Sequence, residues 1–564
     1  MRKIVPQHEE NLFLLLAVLI GILSGLAVVC FRRAIDLTRY WCFGAAQHPG
    51  VLRLLLVPAA GGLALALLVL YAFPGVRGSG VNQTKSAVFI YDGYISFRTV
   101  IGKFITCALA IGSGQSLGPE DPSLQMGAGI ASVLGRKIKF SRERMRLIAP
   151  VGAAAGLAAA FNAPITAVIF VIEEIIGTWS GGILAGVILA AASSVVVMRL
   201  FLGSEPLFHI PEYRMAHPSE LLAYAVLGAV GGVASLAFSK LLGSLRGLAR
   251  AFPAWTQYVQ PAVAGLCIGV IALRFPQVMG AGYEYLDQAM VGHFVWHILL
   301  ALALLKILAT SLSFSSGAPG GMFAPTLFVG GMLGAAVGTL QAHFFPAYTG
   351  PVGAYALVGM GTLFAGFLRA PMTSVFMVLE ISGNYSIIIP VMVSNTIAYL
   401  ISRRFQKLPI FEVLTKQDGL DLPSMEEHRE SLILRVEDAM SPPPPITFSA
   451  DDSVQTALSR TRGGGGGEGR VLLTHWESGR WTCVRIEDLK TAMRLGKGEE
   501  PLRSAVPGVR LPRLHPDQSL DIALRLMRDS EFLPVVHRAD PRRLVGMLGL
   551  EGILSAYRRA AGSD

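Results

Sequence analysis

Three short glycine-rich segments sit just ahead of apolar runs: Gly78-Ser79-Gly80-Val81, Gly118-Pro119-Glu120-Asp121-Pro122 and Gly320-Gly321-Met322-Phe323-Ala324-Pro325. A helix that begins in such a segment leaves its first N–H groups without intrahelical acceptors, and its aligned peptide dipoles give that end about half a positive charge. Glycine lets the backbone approach an ion, and the Ser79 hydroxyl adds a donor. Chloride accepts hydrogen bonds and needs no full opposite charge, so it suits such a place. Taken singly, each loop has a plainer reading, because glycine in membrane helices usually serves close packing. Three loops in order favour an anion path.

Glu120 adds proton chemistry. A carboxylate at a helix start occupies the anion's place when charged and vacates it when protonated, which ties proton movement to anion movement. Its plain alternative is a helix cap paired with Lys103. Glu173 and Glu174 raise the thought of an intramembrane enzyme with paired carboxylates, but neighbours on a helix point about 100° apart and do not converge on one substrate. Glu173 and Glu380 are expected to be structural caps. Lys103 and Lys306 either attract anions or compensate buried acids, and the sequence leaves both open.

The elements that must hold these groups lie in a bilayer. The chain has 564 residues, 52% of them hydrophobic and only 15% charged, too apolar for a soluble protein of this size. Charge-free windows of spanning length run over 147–172 and 221–239, and 307–368 holds no Asp, Glu, Lys or Arg, so it must cross more than once. The 62 glycines and 32 prolines interrupt these windows. Broken helices are therefore expected, with irregular backbone lining a cavity. The net charge of +10 reflects basic clusters at Arg2 and Lys3, Arg136 to Arg146, and Arg403, Arg404 and Lys407. They flank apolar segments, so the positive-inside rule explains them better than nucleic acid does and puts both termini in the cytoplasm. The segment from Asn11 reads as a retained helix without a cleavage site. The five cysteines have neither disulfide nor metal-ligand spacing.

Laid on itself at an offset of about 205 residues, the chain repeats. Residues 103–127 align with 306–330 through Lys103/Lys306, Gly114/Gly317, Gly118/Gly321 and Gly127/Gly330; 158–174 align with 365–381 through Pro164/Pro371, Thr166/Thr373 and Glu173/Glu380. Two related halves, roughly 10–205 and 215–415, therefore make a membrane domain over 1–415. A linker over 416–433 leads to 434–564, where 436–458 and 506–527 share a layout of extended stretch, acidic turn and amphipathic helix. The Gly463–Gly467 run lacks the Lys-Ser/Thr of a phosphate loop and reads as a flexible linker.

The three loops resemble, in order and separation, those of the CLC family of chloride channels and proton-coupled chloride antiporters; GAPGGMFAP and FNAPITAVIFVIEE are the closest-matching stretches. The tail resembles a tandem pair of CBS modules, 434–497 and 501–560, a common appendage of that family. The resemblance implies an all-α polytopic domain of two inverted repeats with broken helices, followed by a small α/β pair. It implies a homodimer in the lipid bilayer that handles chloride and protons; the absence of organelle signals and the compact loops suggest a bacterial inner membrane, and no nucleic-acid partner is expected. Ser79, Gly80, Met322, Phe323 and Phe411 then stand at the anion-binding positions, Glu120 at the gate and Glu174 at a second proton-transfer position that many family channels lack. The implied function is chloride/proton antiport, with a passive channel as the alternative. No catalytic residue, metal or cofactor is implied beyond bound chloride. A nucleotide in the tail is weakly supported, because Asp488 is kept while Arg485, Gly549 and Gly552 replace the groups that hold it, so the tail is expected to be structural. Three departures stand out: Asn82 replaces a proline, Pro119 and Asp121 replace a basic residue and a glycine beside the gate, and Phe411 replaces a tyrosine and loses a hydroxyl donor.

Overall fold

The computed structural model describes residues 7–44, 50–138, 140, 142–177, 181–203, 208, 217–420, 422, 434–443, 447–463, 470–475, 480–506, 508–527, 530–538 and 540–561. The chain forms two units, Met1–Arg429 and Glu430–Asp564.

In the first unit one order of helices occurs twice. The first half runs α1 (Gln7–Phe43), α2 (Val51–Leu67), α3 (Gly80–Phe89), α4 (Phe97–Gly112), α5 (Glu120–Ile138), α6 (Arg142–Phe161), α7 (Pro164–Phe170) and α8 (Gly181–Leu202). The second runs α9 (Glu220–Ala251), α10 (Gln260–Ala272), α11 (Tyr283–Met290), α12 (Trp296–Ser315), α13 (Phe323–Phe344), α14 (Val352–Leu368), α15 (Pro371–Ser382) and α16 (Ile388–Phe405), and α17 (Ile410–Gln417) follows. Among the described residues, eight helical stretches are long and apolar enough to cross a membrane. The charge-free stretch 307–368 holds the end of α12 and all of α13 and α14.

The breaks repeat with the helices. Gly114 (φ +102°) and Gly317 (φ +86°) turn the chain after α4 and α12, in a region that side chains with a Cβ rarely enter. Asn162 (φ +56°) and Arg369 (φ +59°) end α6 and α14 just before the Ala-Pro pairs that open α7 and α15. Proline fits there because the first turn of a helix has no use for its missing N–H. After α7 the helix widens over Val171–Ile176, which carries Glu173 and Glu174.

Small residues let the paired helices touch. A Cβ on Gly127 would lie 2.1 Å from the Gly152 carbonyl oxygen, and one on Gly330 would lie 2.2 Å from that of Gly359. Thus α5 meets α6, and α13 meets α14, backbone to backbone, so packing is the role of these glycines. The expected caps are also present and reciprocal. Glu173 accepts from the Thr373 amide (2.8 Å) and hydroxyl (2.6 Å) at the start of α15, and Glu380 accepts from the Thr166 amide and hydroxyl (both 2.8 Å) at the start of α7.

The tail unit has a four-stranded sheet and a hairpin. Strands β1 (Phe448–Ser449) and β2 (Arg470–His475) are parallel, and β3 (Arg480–Arg485) and β4 (Val509–Leu511) extend the sheet antiparallel; β5 (Phe532–Val536) pairs with β6 (Leu544–Gly549). Among the described residues three small cores result, one around Val454, Val484 and Leu489, one around Leu520, Leu533 and Ile553, and one around Trp481 and Val536. One expectation is corrected: 436–458 opens on a helical turn, Val436–Ala439, not an extended stretch, because the Asp438 carboxylate caps the Arg435 amide at 2.8 Å. Of the glycine run, 464–467 lie outside the described residues, as does most of the 416–433 linker.

Gly330→Ala should force α13 and α14 apart at a cost of about 1–3 kcal/mol. The check is a lower thermal unfolding midpoint for the detergent-purified protein, and an unchanged midpoint would contradict the backbone contact.

Candidate functional site

The site is assembled from the starts of α3, α5 and α13. Gly78, at φ +84°, turns the chain into Ser79, whose extended backbone and hydroxyl cap α3; the oxygen accepts from the Val81 amide at 3.2 Å. The loop is pinned from α4 by Lys103, which is fully buried and donates to the carbonyls of Val76 (3.1 Å) and Gly78 (2.9 Å). Lys306 of α12 clamps the loop before α11 in the same way, through Val278 (2.9 Å) and Gly280 (2.7 Å). Both lysines thus donate to loop carbonyls, and Lys306 also lies over the Phe328 ring, 4.9 Å from its centroid.

The second and third loops meet head to head. Gly118 and Gly321 exchange amide-to-carbonyl hydrogen bonds of 2.8 and 2.9 Å in an antiparallel bridge between equivalent residues of the two halves. This local two-fold reverses the chain direction, as inverted repeats require. It sets the start of α5 against the start of α13. Glu120, fully buried, accepts from the Tyr283 hydroxyl with one oxygen and from the Ala324 amide at 3.2 Å with the other. Its partners are therefore not Lys103. The Met322 and Phe323 amides beside it donate to no protein acceptor among the described residues.

The remaining candidates fall around these starts. Gly80 opens α3, and a Cβ there would lie 2.5 Å from the Asp121 carbonyl oxygen. Asp121, also buried, accepts from the Ser79 hydroxyl (3.0 Å) and the Val81 amide (2.8 Å). Phe411, at the start of α17, puts its ring edge-on to Phe323 with centroids 6.3 Å apart, and its carbonyl accepts from the Asn82 side chain at 2.9 Å. Asn82 therefore ties α3 to α17, which the proline expected there has no side-chain donor to do. A cavity of 490 Å³ opens onto Ser79 and Asn82, with Arg77, Arg246 and Arg250 in its wall. Glu174 joins the group through α3: it is ion-paired to Lys85, and both side chains are buried. Glu173 and Glu174 face different partners, so they form no joint catalytic pair.

Sequence reasoning missed Tyr283, Lys85 and the acceptor role of Asp121. Two signals were present. Tyr283 opens α11 as Gly80 opens α3, so extending the repeat alignment reaches it. Lys85 is a cation in an apolar region six residues beyond Ser79, where a charge needs a partner.

Residues 61–403 match the family described as voltage gated chloride channel, and 506–559 match the CBS domain. The chain belongs to the voltage gated chloride channel family. A ClcB-like chloride channel protein of Ralstonia nicotianae is 32% identical over 399 residues, covering 69% of this chain and 92% of that protein. The H(+)/Cl(-) exchange transporter ClcA of Salmonella arizonae is 31% identical over 438 residues, covering 74% and 92%. Among solved structures, a slow cyanobacterial Cl-/H+ antiporter is 25% identical with a TM-score of 0.67, covering 72% of this chain and 97% of that one. A eukaryotic CLC transporter shares the fold over 96% of this chain at 20% identity and a TM-score of 0.63. The chain is thus a multi-pass membrane transport protein and not an enzyme.

Lys85→Met should destabilise the protein by about 3 kcal/mol, because it removes the cation paired with the buried Glu174 carboxylate, and Lys85→Met/Glu174→Gln should recover most of that loss. Thermal unfolding of both variants in detergent checks the coupling; purely additive effects would mean that the pair does not form.

Proposed function

We propose that the chain exchanges chloride for protons across the membrane, with Glu120 as the gate. The observation that carries this reading is the Glu120 carboxylate accepting from the Ala324 amide at the start of α13, a donor suited to an anion. Chloride binds between the Ser79 hydroxyl and the uncommitted amides of Met322 and Phe323. Gly80 joins Ser79 at the anion position through its backbone, its missing Cβ letting Asp121 close on the start of α3, and Phe411 supplies bulk without a donor. While charged, Glu120 holds the Ala324 amide and the Tyr283 hydroxyl and closes the outer part of the path. On taking up a proton it no longer competes as an anion for the amide, moves aside, and admits chloride. The proton passes on to Glu174, which faces the cytoplasm in this reading.

The reading includes a homodimer in a bacterial inner membrane with both termini cytoplasmic. The basic last turns of α5 (Arg136, Lys137) and α16 (Arg403, Arg404) support that orientation. It takes the tail, 434–564, as a CBS pair with a structural role and no bound nucleotide. In support, Asp488 is engaged by Arg485 at 3.2 Å.

One observation favours the passive channel instead: Lys85 ion-pairs with Glu174, the residue that must pass the proton on. The two readings part in proteoliposomes with the voltage clamped by a potassium ionophore. Exchange predicts that a chloride gradient drives protons uphill, and that Glu120→Gln, which mimics the protonated gate, abolishes proton flux while chloride still moves. Fast chloride flux without protons in the unmodified chain would establish the channel.

A further inference from the structure

We propose that Asp121 is a second tethered anion, a fixed competitor that holds the Ser79 hydroxyl and the start of α3 against chloride and so sets how weakly this chain binds it. The proposal rests on the chloride site described above, in which Ser79 is a ligand.

The Ser79 hydroxyl has one proton to donate, and the structure shows where it goes: to Asp121 Oδ2 at 3.0 Å. The other carboxylate oxygen takes the Val81 amide, at 2.8 Å, from the first turn of the ten-residue helix α3. Both side chains are buried, Ser79 at 3% and Asp121 at 1% exposure. Half of the donor set that would hold a central anion is therefore engaged by a carboxylate of the protein. The other half, the amides of Met322 and Phe323, makes no such bond among the described residues. Chloride that enters between these halves must share Ser79 with Asp121 or displace it.

Asp121 differs in kind from its neighbour Glu120. Glu120 has two methylenes and reaches across to α13; Asp121 has one and is wedged. A Cβ placed on Gly321 would lie 2.7 Å from the Asp121 Cβ, and one on Gly80 would lie 2.9 Å from its Oδ1. The charged groups around it are Lys103 on α4, whose charge acts on it, and Glu120 beside it. A short side chain so enclosed has no room to swing out as a gate. It lowers the occupancy of the inner anion position continuously, while Glu120 opens and closes the outer one.

Calorimetric titration of chloride into the detergent-purified full chain tests this, in the unmodified protein, in Asp121→Gly and in Asp121→Asn, each with and without Ser79→Ala. Freeing Ser79 and the α3 amides is expected to tighten chloride binding about tenfold in Asp121→Gly, with a smaller gain in the isosteric Asp121→Asn, which keeps the fold if glycine does not. Ser79→Ala should cancel the gain. Unchanged or weaker binding in both Asp121 variants overturns the proposal, as does a gain that survives Ser79→Ala. If Ser79→Ala leaves binding untouched in every background, the chloride site itself is wrong, a different failure from that of Asp121 alone.

Discussion

The two hydrogen bonds between Gly118 and Gly321 impose a constraint that the rest of the site answers. They hold the starts of α5 and α13 head to head in a buried place, and each start carries about half a positive charge and unpaired donors. Two such ends, brought together away from water, oppose each other unless negative charge lies between them. Glu120 supplies it from within the chain, and on the exchange reading chloride supplies it from outside. On that reading, anion binding is thus a condition of this packing, and gating is the question of which anion meets it at a given moment.

The internal repeat separates what builds the site from what works in it. Features shared by the halves are structural: Lys103 and Lys306 clamp loops, Glu173 and Glu380 cap each other's helices, and Asn162 and Arg369 turn the chain at matching places. The residues assigned to chemistry break the symmetry. Glu120 and Asp121 have Phe323 and Ala324 as their counterparts, Glu174 has Ile381, and Gly80 has Tyr283. One half brings carboxylates to the centre, and the other brings the amides of Met322, Phe323 and Ala324 and an aromatic hydroxyl. The repeat makes a symmetric frame, and differences at a few positions give its centre two unlike sides.

This division also explains what the sequence disclosed. Loops, breaks, the repeat and the membrane class are written in local residue types, in glycines, prolines and long apolar runs, and they were legible. Partners were not, because they join distant positions: Tyr283 reaches Glu120 across 163 residues, and Lys85 reaches Glu174 across 89. The lysines resisted for another reason. Their hydrogen-bond acceptors are backbone carbonyls, which every residue carries and no sequence pattern marks, so the loop-clamping role was hidden, although the Lys103 charge also acts on the buried Asp121. In the tail, one helical turn at 436–439 was hidden because a four-residue helix has too little periodicity to show.

The departures from the family pattern bear on one another. On the exchange reading, Phe411 where the family pattern has tyrosine removes a donor from the α17 side of the anion position; its ring lies edge-on to Phe323, and Asn82 fastens its carbonyl to α3. Asp121 draws off the donors on the α3 side. On the exchange reading, both changes weaken the grip on chloride from the flanks and leave the Met322 and Phe323 amides as its principal hold. An ion held mainly by one helix start leaves readily, because partial charges in a single turn bind less firmly than a ring of donors. The chain would then give up occupancy of its inner site while Glu120 keeps control of the outer one, so the traffic of chloride would depend more on the carboxylate that moves than on the ion that waits.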